Sequence, residues 1–453
     1  MTVTPPAAAS VVDRQRVIQA YRDNRARTQA LFEMLTPDAY YDQPIPLRHP
    51  VVFYEGHIPA FAVNSFLKKG LGHLGLDADL ELLFARGIDP SDQAGVAKSA
   101  IEPAVWPTRD EVRRFAETAD DVILQALESD TIEREQNGAL YRGQGVFTML
   151  EHEVMHQETL LYMWHQFDLE KKRRPTGYKN AGTAAPVPST REMVTIPSGR
   201  ATLGATVTDV VFGWDNEFPT YCVDVPAFAI DLHDVTNAEF LAFVETGGYN
   251  DVNLWTQDAW GRLAESGRQH PLFWELIDGE WHWRGMFDRV PLPLAWPVYA
   301  THDEATAFAR WKRLRLPTEA EYHRAAYGTP AGTERSYPWG DDEPDPTRGN
   351  FDFRSWDPVP VGSYPDGASA WGVHDLVGNG WEWTSTVFES FPGFEVMASY
   401  PEYSVDFFDG DHFVVKGASP ATGHDLIRRS FRNWFRPSYP YMYATFRCVR
   451  DDA

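Results

Sequence analysis

Between Asp13 and Leu35 the residues Val17, Ile18, Tyr21, Thr28, Leu31 and Leu35 recur at helical spacing, which predicts one helix with an apolar face. A second is expected over Ile58 to Leu71. A third opens at Thr108-Arg-Asp-Glu111, a capping box after Trp106-Pro107, and runs through Val112, Phe115, Ala119, Val122, Ile123 and Ala126. A fourth spans about Gly145 to Phe167, with Phe147, Leu150, Met155 and Leu160 as core contacts. Four amphipathic helices joined in sequence predict a four-helix bundle over residues 1–170.

The pattern then changes. Residues 171–190 begin Lys-Lys-Arg-Arg-Pro and continue rich in Gly, Ala, Pro and Ser, the composition of an exposed linker. Over 191–453 short β-like runs (Met193 to Ile196, Tyr221 to Val225, Phe413 to Lys416) alternate with Gly- and Pro-rich loops. Only two helices are expected there, opened by the capping boxes Thr236-Asn-Ala-Glu239 and Thr318-Glu-Ala-Glu321. The fold class is therefore α+β, a helical bundle followed by a loop-rich domain. No internal repeat and no low-complexity segment is found.

Composition narrows the function. At 453 residues, two domains are the default. A net charge of −24 argues against nucleic acid and anionic membrane as partners. No apolar run reaches membrane-spanning length, and Met1-Thr-Val-Thr-Pro-Pro has no basic region leading into an apolar stretch, so neither a transmembrane helix nor a signal peptide is expected. The two cysteines, Cys222 and Cys448, are too few for a disulfide framework and fit a reducing compartment, the cytoplasm. Aromatics at 14%, 16 of them Trp, suit a loop-rich fold or a binding cleft.

His152 and His156 lie four apart in Glu151-His-Glu-Val-Met-His-Gln-Glu158, so on a helix both imidazoles point the same way within roughly 40°. Glu158 faces away from them. With 14 histidines, chance alone gives roughly 0.4 pairs at this spacing, so the pair by itself is a weak sign of a metal. The spacing is not that of a thermolysin-like zinc protease. A third ligand has to come from another helix, and His49, His57 and His73 are the candidates. Pro50 pushes His49 out of helical geometry, whereas Gly56 and Pro59 around His57 mark a helix start at which a metal site would stay open. Three neutral imidazoles with open positions suit Fe(II) and oxygen chemistry, with zinc and copper also compatible on ligand type.

Several motifs in order resemble the ergothioneine-biosynthetic sulfoxide synthase family. They are Pro46-Leu-Arg-His-Pro50, Tyr54-Glu-Gly-His57 and His152-Glu-Val-Met-His156-Gln-Glu158, then Ile196-Pro-Ser-Gly199, Val235-Thr-Asn-Ala-Glu-Phe240 and Arg315-Leu-Pro-Thr-Glu-Ala-Glu321. Gly378-Asn-Gly-Trp-Glu-Trp-Thr384, Lys416-Gly-Ala-Ser419, Phe431-Arg-Asn-Trp434 and Phe446-Arg-Cys448 follow. The resemblance covers nearly the whole chain and implies a DinB-like four-helix bundle joined to a formylglycine-generating-enzyme-like, C-type-lectin-like domain. It selects His57, His152 and His156 as ligands of Fe(II). It implies an O2-dependent reaction in which a carbon–chalcogen bond forms at imidazole C2 of hercynine, the trimethylated histidine. Asn433 and Trp434 match hercynine-contacting positions, and aromatic faces suit a quaternary ammonium. The family's proton-delivering tyrosine falls after the Trp-Glu-Trp-Thr motif; Tyr400 is the candidate, with Tyr403, Tyr40 and Tyr41 behind it.

Departures bear on the second substrate. Where the γ-glutamylcysteine-using branch has Asp and Arg after Phe-Arg-Asn-Trp, this chain has Phe435 and Tyr439, and where the family has Gln, it has Met155. An aromatic pair cannot anchor charged termini, which disfavours γ-glutamylcysteine and favours a selenosugar, as in the selenoneine synthase branch, with cysteine as the alternative. Histidine-cysteine sulfoxide synthesis shares the Pro-Leu-Arg-His-Pro signature, but its usual methyltransferase domain has no counterpart before Ala453. Formylglycine generation would need a cysteine where Tyr443 stands, five positions before Cys448. A lectin-like binding protein is the non-catalytic reading.

Overall fold

The computed structural model describes residues 11–85, 105–176, 178, 187 and 191–451. These fall into two compact units: Met1–Arg173 with the later segments Val207–Trp214 and Val396–Tyr403, and the remainder from Arg174. The core of the predicted 171–190 linker lies largely outside the described residues. In its first part Arg173 and Arg174 are exposed, but Lys172 is buried and bridges antiparallel to Leu35, while the Arg173 N–H donates to the Met34 carbonyl at 2.7 Å. Backbone pairing with the end of the first helix accounts for this despite the run of charges.

In the first unit α1 (Arg14–Glu33), α2 (Val51–Ala62), α3 (Ala78–Leu83), α4 (Arg109–Ser129) and α5 (Gln144–Gln166) follow one another. Thr108 caps α4 through a complete capping box with Glu111. Val17, Tyr21, Phe66, Leu67, Ile123, Leu127, Val146 and Met149 share one core. Polar groups are buried beside it: the Arg25 guanidinium of α1 joins Asp120 of α4 at 2.8 Å and Glu153 of α5 at 2.9 Å.

The expected helix start at Gly56 and Pro59 is corrected: α2 begins directly after Pro50 and continues without a break into a π-helical stretch, Val63–Leu71. Pro50 sets the entry, because its ring fixes an extended cap. Gly56 has another cause. A β-carbon there would come within 2.4 Å of the Phe84 ring, so the glycine lets the end of α3 lie against α2.

Among its described residues the second unit holds four small sheets. Gly380–Val387 and Phe413–Ala418 pair antiparallel, flanked by Asn433–Phe435 and, in parallel, Ala444–Thr445. Met193–Ile196 and Val449–Asp451 flank Phe228–Asp231. Arg447 is fully buried and pairs with Glu382 at 2.6 Å and Asp234 at 3.1 Å. Among the described residues four α-helices occur here, against the two expected. Asn237–Glu245 and Glu319–Tyr327 carry the foreseen capping boxes, and Gln257–Ser266 and His302–Trp311 are additional. The last also has a capping box, Thr301 with Glu304, and buries Ala305, Ala307, Phe308 and Ala309. No helix among the described residues is long and apolar enough to cross a membrane.

His302 gives this unit a pH response. Its ring stacks on Phe413 at 3.9 Å, and burial pushes its pKa down to about 3. The unfolded chain takes up the proton first, so the stability from a neutral His302 is present above the ordinary imidazole value and lost as pH falls towards 3. From this residue the loss at pH 5 is about 2 kcal/mol. Thermal unfolding of His302→Phe between pH 7 and 5 should have a shallower pH slope than the unmodified protein; an unchanged slope would remove this assignment.

Candidate metal centre

Helix α5 projects His152 and His156 from one face, their ring centroids 4.4 Å apart and their Nε2 atoms 3.1 Å apart. Helix α2 brings His57 to 5.1 Å from the first ring and 4.9 Å from the second. One ring nitrogen from each residue lies within 4.8 Å of the other two, an arrangement that could hold one metal ion. Of the other candidates, His49 stacks on Phe53 at 4.1 Å and His73 pairs with Asp130 at 2.7 Å, and neither belongs to the group. Glu158 is outside it as well.

The protonation of the three rings follows from their surroundings. A carbonyl only accepts, so the 2.7 Å contact of His57 Nδ1 with the Phe84 oxygen places the ring proton on Nδ1 and leaves the lone pair on Nε2. That Nε2 is buried and has no hydrogen-bond partner among the described residues. Burial pushes the His57 pKa down to about 4. It also holds His152 and His156 well below the ordinary imidazole range, the neighbouring rings adding to the effect. Three neutral imidazoles facing one another, one with an orphaned acceptor, fit a divalent cation by donor type and placement.

The wall of the site is aromatic. Phe61 lies flat on His152 at 3.5 Å, Phe53 stacks on His57 at 5.2 Å, and Tyr54 stands 5.8 Å from His156. Neither Tyr54, present in the Tyr54-Glu-Gly-His57 motif, nor Phe61 is a site candidate from the sequence, although both lie one helical turn from His57. Their spacing was the available signal. Gly56→Ala would drive Phe84 off α2 and loosen the carbonyl that orients His57. A destabilisation of ~1–3 kcal/mol is expected, together with weaker metal binding, read by thermal unfolding and metal titration on the same sample.

The predicted site residues divide between the two units. Tyr400 comes to the histidines, its ring edge-on to Phe61 at 5.0 Å and to His152 at 6.3 Å. Tyr403 stacks on Trp214 at 3.9 Å, and its hydroxyl donates to Met155 Sδ at 3.5 Å. Tyr40 is buried against Glu55 with Arg109 over its ring, and the exposed Tyr41 donates to the Pro107 carbonyl. Asn433, Trp434, Phe435 and Tyr439 gather in the second unit. There Trp434 stacks on Phe388 at 4.1 Å, and Phe435 on Tyr439 at 5.4 Å. Cys448 is buried with its thiol pushed up to about 12, and Tyr443 is buried near it in sequence, so this position holds no reactive thiol pair.

Comparison with known proteins places both parts. Residues 20–160 match the DinB superfamily and residues 179–452 the sulfatase-modifying factor enzyme 1-like domain. The hercynine oxygenase of Mycolicibacterium thermoresistibile is 36% identical over 84% of this chain and 86% of its own length. That of Mycobacterium tuberculosis is 34% identical over 84% and 90%. The ergothioneine biosynthesis protein 1 of Neurospora crassa is 29% identical over 92% of this chain and 56% of its own length. The chain is a member of the ergothioneine sulfoxide synthase family of oxygen-dependent, carbon–sulfur bond-forming oxidoreductases, with a DinB-type bundle and a sulfatase-modifying-factor-type domain.

Proposed function

We propose that this chain is a hercynine sulfoxide synthase that binds Fe(II) through His57, His152 and His156 and uses O2 to join a thiol to imidazole C2 of hercynine. The observation that carries the reading is the converging set of three neutral imidazoles in a chain so similar to hercynine oxygenases. The selenosugar preference drawn from Phe435 and Tyr439 finds no support among these relatives, whose names specify hercynine and ergothioneine, and a sulfur donor replaces it. Cysteine is the donor we put forward.

The stoichiometry closes without an external reductant. Hercynine loses its C2 hydrogen, the thiol loses its S–H, the sulfur gains one oxygen, and the second oxygen leaves as water. All four electrons come from the two organic substrates. Bound Fe(II) would supply open coordination positions and the route for electrons to O2. The chain's own part is to hold that ion and to exclude water from it with Phe53, Tyr54 and Phe61. Tyr400 holds a proton beside His152 for delivery to reduced oxygen. Asn433 and Trp434 are proposed to receive hercynine, Trp434 offering a ring face to its ammonium, and Met155, Phe435 and Tyr439 to face the donor. The domain limits 1–170 and 191–453 and a cytoplasmic location complete the reading; both cysteines are free, as a reducing compartment allows.

The test is a donor panel. Anaerobically iron-loaded protein is given hercynine and O2 with cysteine, γ-glutamylcysteine or a selenosugar, and products are read by mass. The cysteine–hercynine sulfoxide is expected; turnover confined to the selenosugar would overturn the sulfur reading.

A further inference from the structure

Tyr400 is far from the bundle in sequence, yet its segment, Val396–Tyr403, belongs to the bundle unit, as does Val207–Trp214. Three contacts fasten these segments to α5. The hydroxyls of Ser399 and Thr148 meet at 2.8 Å. The Trp214 indole N–H donates to a Glu151 carboxylate oxygen at 2.8 Å. The Tyr403 hydroxyl donates to Met155 Sδ at 3.5 Å while its ring lies on Trp214. Positions 148, 151 and 155 are spaced by three and four residues, so all three anchors run along one face of α5, the face flanking His152.

We infer that Trp214 and Glu151 form a clamp that positions Tyr400 at the histidines. The inference rests on the reading of Tyr400 as the proton donor. Ser399 and Tyr403 pin the chain on either side of Tyr400, which leaves its ring little room to leave Phe61. Tyr403 is pinned only as firmly as the ring beneath it, and Trp214 is fully buried with its indole N–H committed to Glu151. A carboxylate placed in the interior carries a desolvation cost that an apolar contact would avoid. What the hydrogen bond adds is direction: it sets the indole plane, on that plane lies Tyr403, and three residues earlier stands Tyr400. Glu151 and Trp214 are thus positioning residues, acting through Tyr403.

The experiment places 3-fluorotyrosine at position 400 and loads the protein with Co(II), whose paramagnetism shifts the fluorine resonance according to its distance and angle from the metal. Trp214→Phe, which keeps an aromatic ring but removes the N–H, should diminish or broaden that shift, as should Glu151→Leu. Glu151→Gln retains an oxygen acceptor and should restore it. Co(II) affinity should stay within about twofold throughout. In the iron-loaded enzyme, kcat of Trp214→Phe should fall roughly 10- to 100-fold with KM for hercynine unchanged, and Trp214→Phe/Tyr400→Phe should be no slower than Tyr400→Phe alone. An unaltered fluorine shift in both Trp214→Phe and Glu151→Leu overturns the clamp, and so does a loss of metal affinity matching the loss of rate. A collapsed shift beside a fully active Tyr400→Phe would leave the clamp standing and remove Tyr400 as the acid.

Discussion

His152→Ala is expected to lose Fe(II) binding by at least about a hundredfold and product formation to below about 1% of the unmodified enzyme. His152 is enclosed by rings: Phe61 lies on it at 3.5 Å, and His57 and His156 flank it. Alanine leaves two imidazoles on different helices, and an ion held by two neutral nitrogens loses much of its reason to leave water. The loss has to be separated from simple destabilisation, since removing a buried ring also costs ~1–3 kcal/mol of packing. Ligand-linked stability makes the separation. At Fe(II) a hundredfold above its Kd the unmodified protein gains about 2.7 kcal/mol, whereas the variant should gain no more than about 0.4 kcal/mol. A variant whose melting temperature rises with added Fe(II) as much as that of the unmodified protein would show that His152 is not a ligand.

Arg25→Met should be the most damaging single change in the bundle. The guanidinium is held by Glu153 and Asp120, and Thr28 donates a further hydrogen bond to Glu153 at 2.6 Å. Removing the cation strands the buried Glu153 carboxylate, for a loss of ~3–5 kcal/mol. For a unit of this size that is a drop in melting temperature of roughly 10 °C. The deficit depends on pH. Burial already holds the Glu153 pKa above the ordinary carboxylate range, with Arg25 opposing, so without Arg25 it rises further. A carboxyl raised in the folded state adds stability that is present at low pH and lost as pH rises. The gap between variant and unmodified protein should therefore be smaller at pH 5 than at pH 8. Arg25→Met/Glu153→Leu should recover most of the loss, because an apolar pair no longer buries a charge.

How far the sequence carried the site depended on the range of each interaction. The pairing of His152 with His156 is local, set by the pitch of one helix, and could be read directly. His57 could not be chosen over His49 and His73 by spacing; the ordered motifs chose it. The reason for Gly56 was misread as a helix start because its cause, the ring of Phe84, lies 28 residues away on another helix. The recruitment of Trp214 and Tyr400 into the bundle was equally hidden, since no local period records a contact between residues 214 and 151. In the second unit the helix His302–Trp311 was missed although Thr301 and Glu304 form the same capping box as at Thr236 and Thr318. Its buried apolar side chains are Ala305, Ala307, Phe308 and Ala309, most of them small, so few bulky apolar positions mark it in the sequence.

The proposed iron centre is tested most directly by anaerobic Fe(II) titration of the chain, read by nitric oxide binding and electron paramagnetic resonance. One iron per chain is expected, with a high-spin iron–nitrosyl signal that changes when hercynine is added and is absent from His57→Ala, His152→Ala and His156→Ala. Stoichiometric iron with the same hercynine-sensitive signal in any of those three variants would contradict a centre built on His57, His152 and His156.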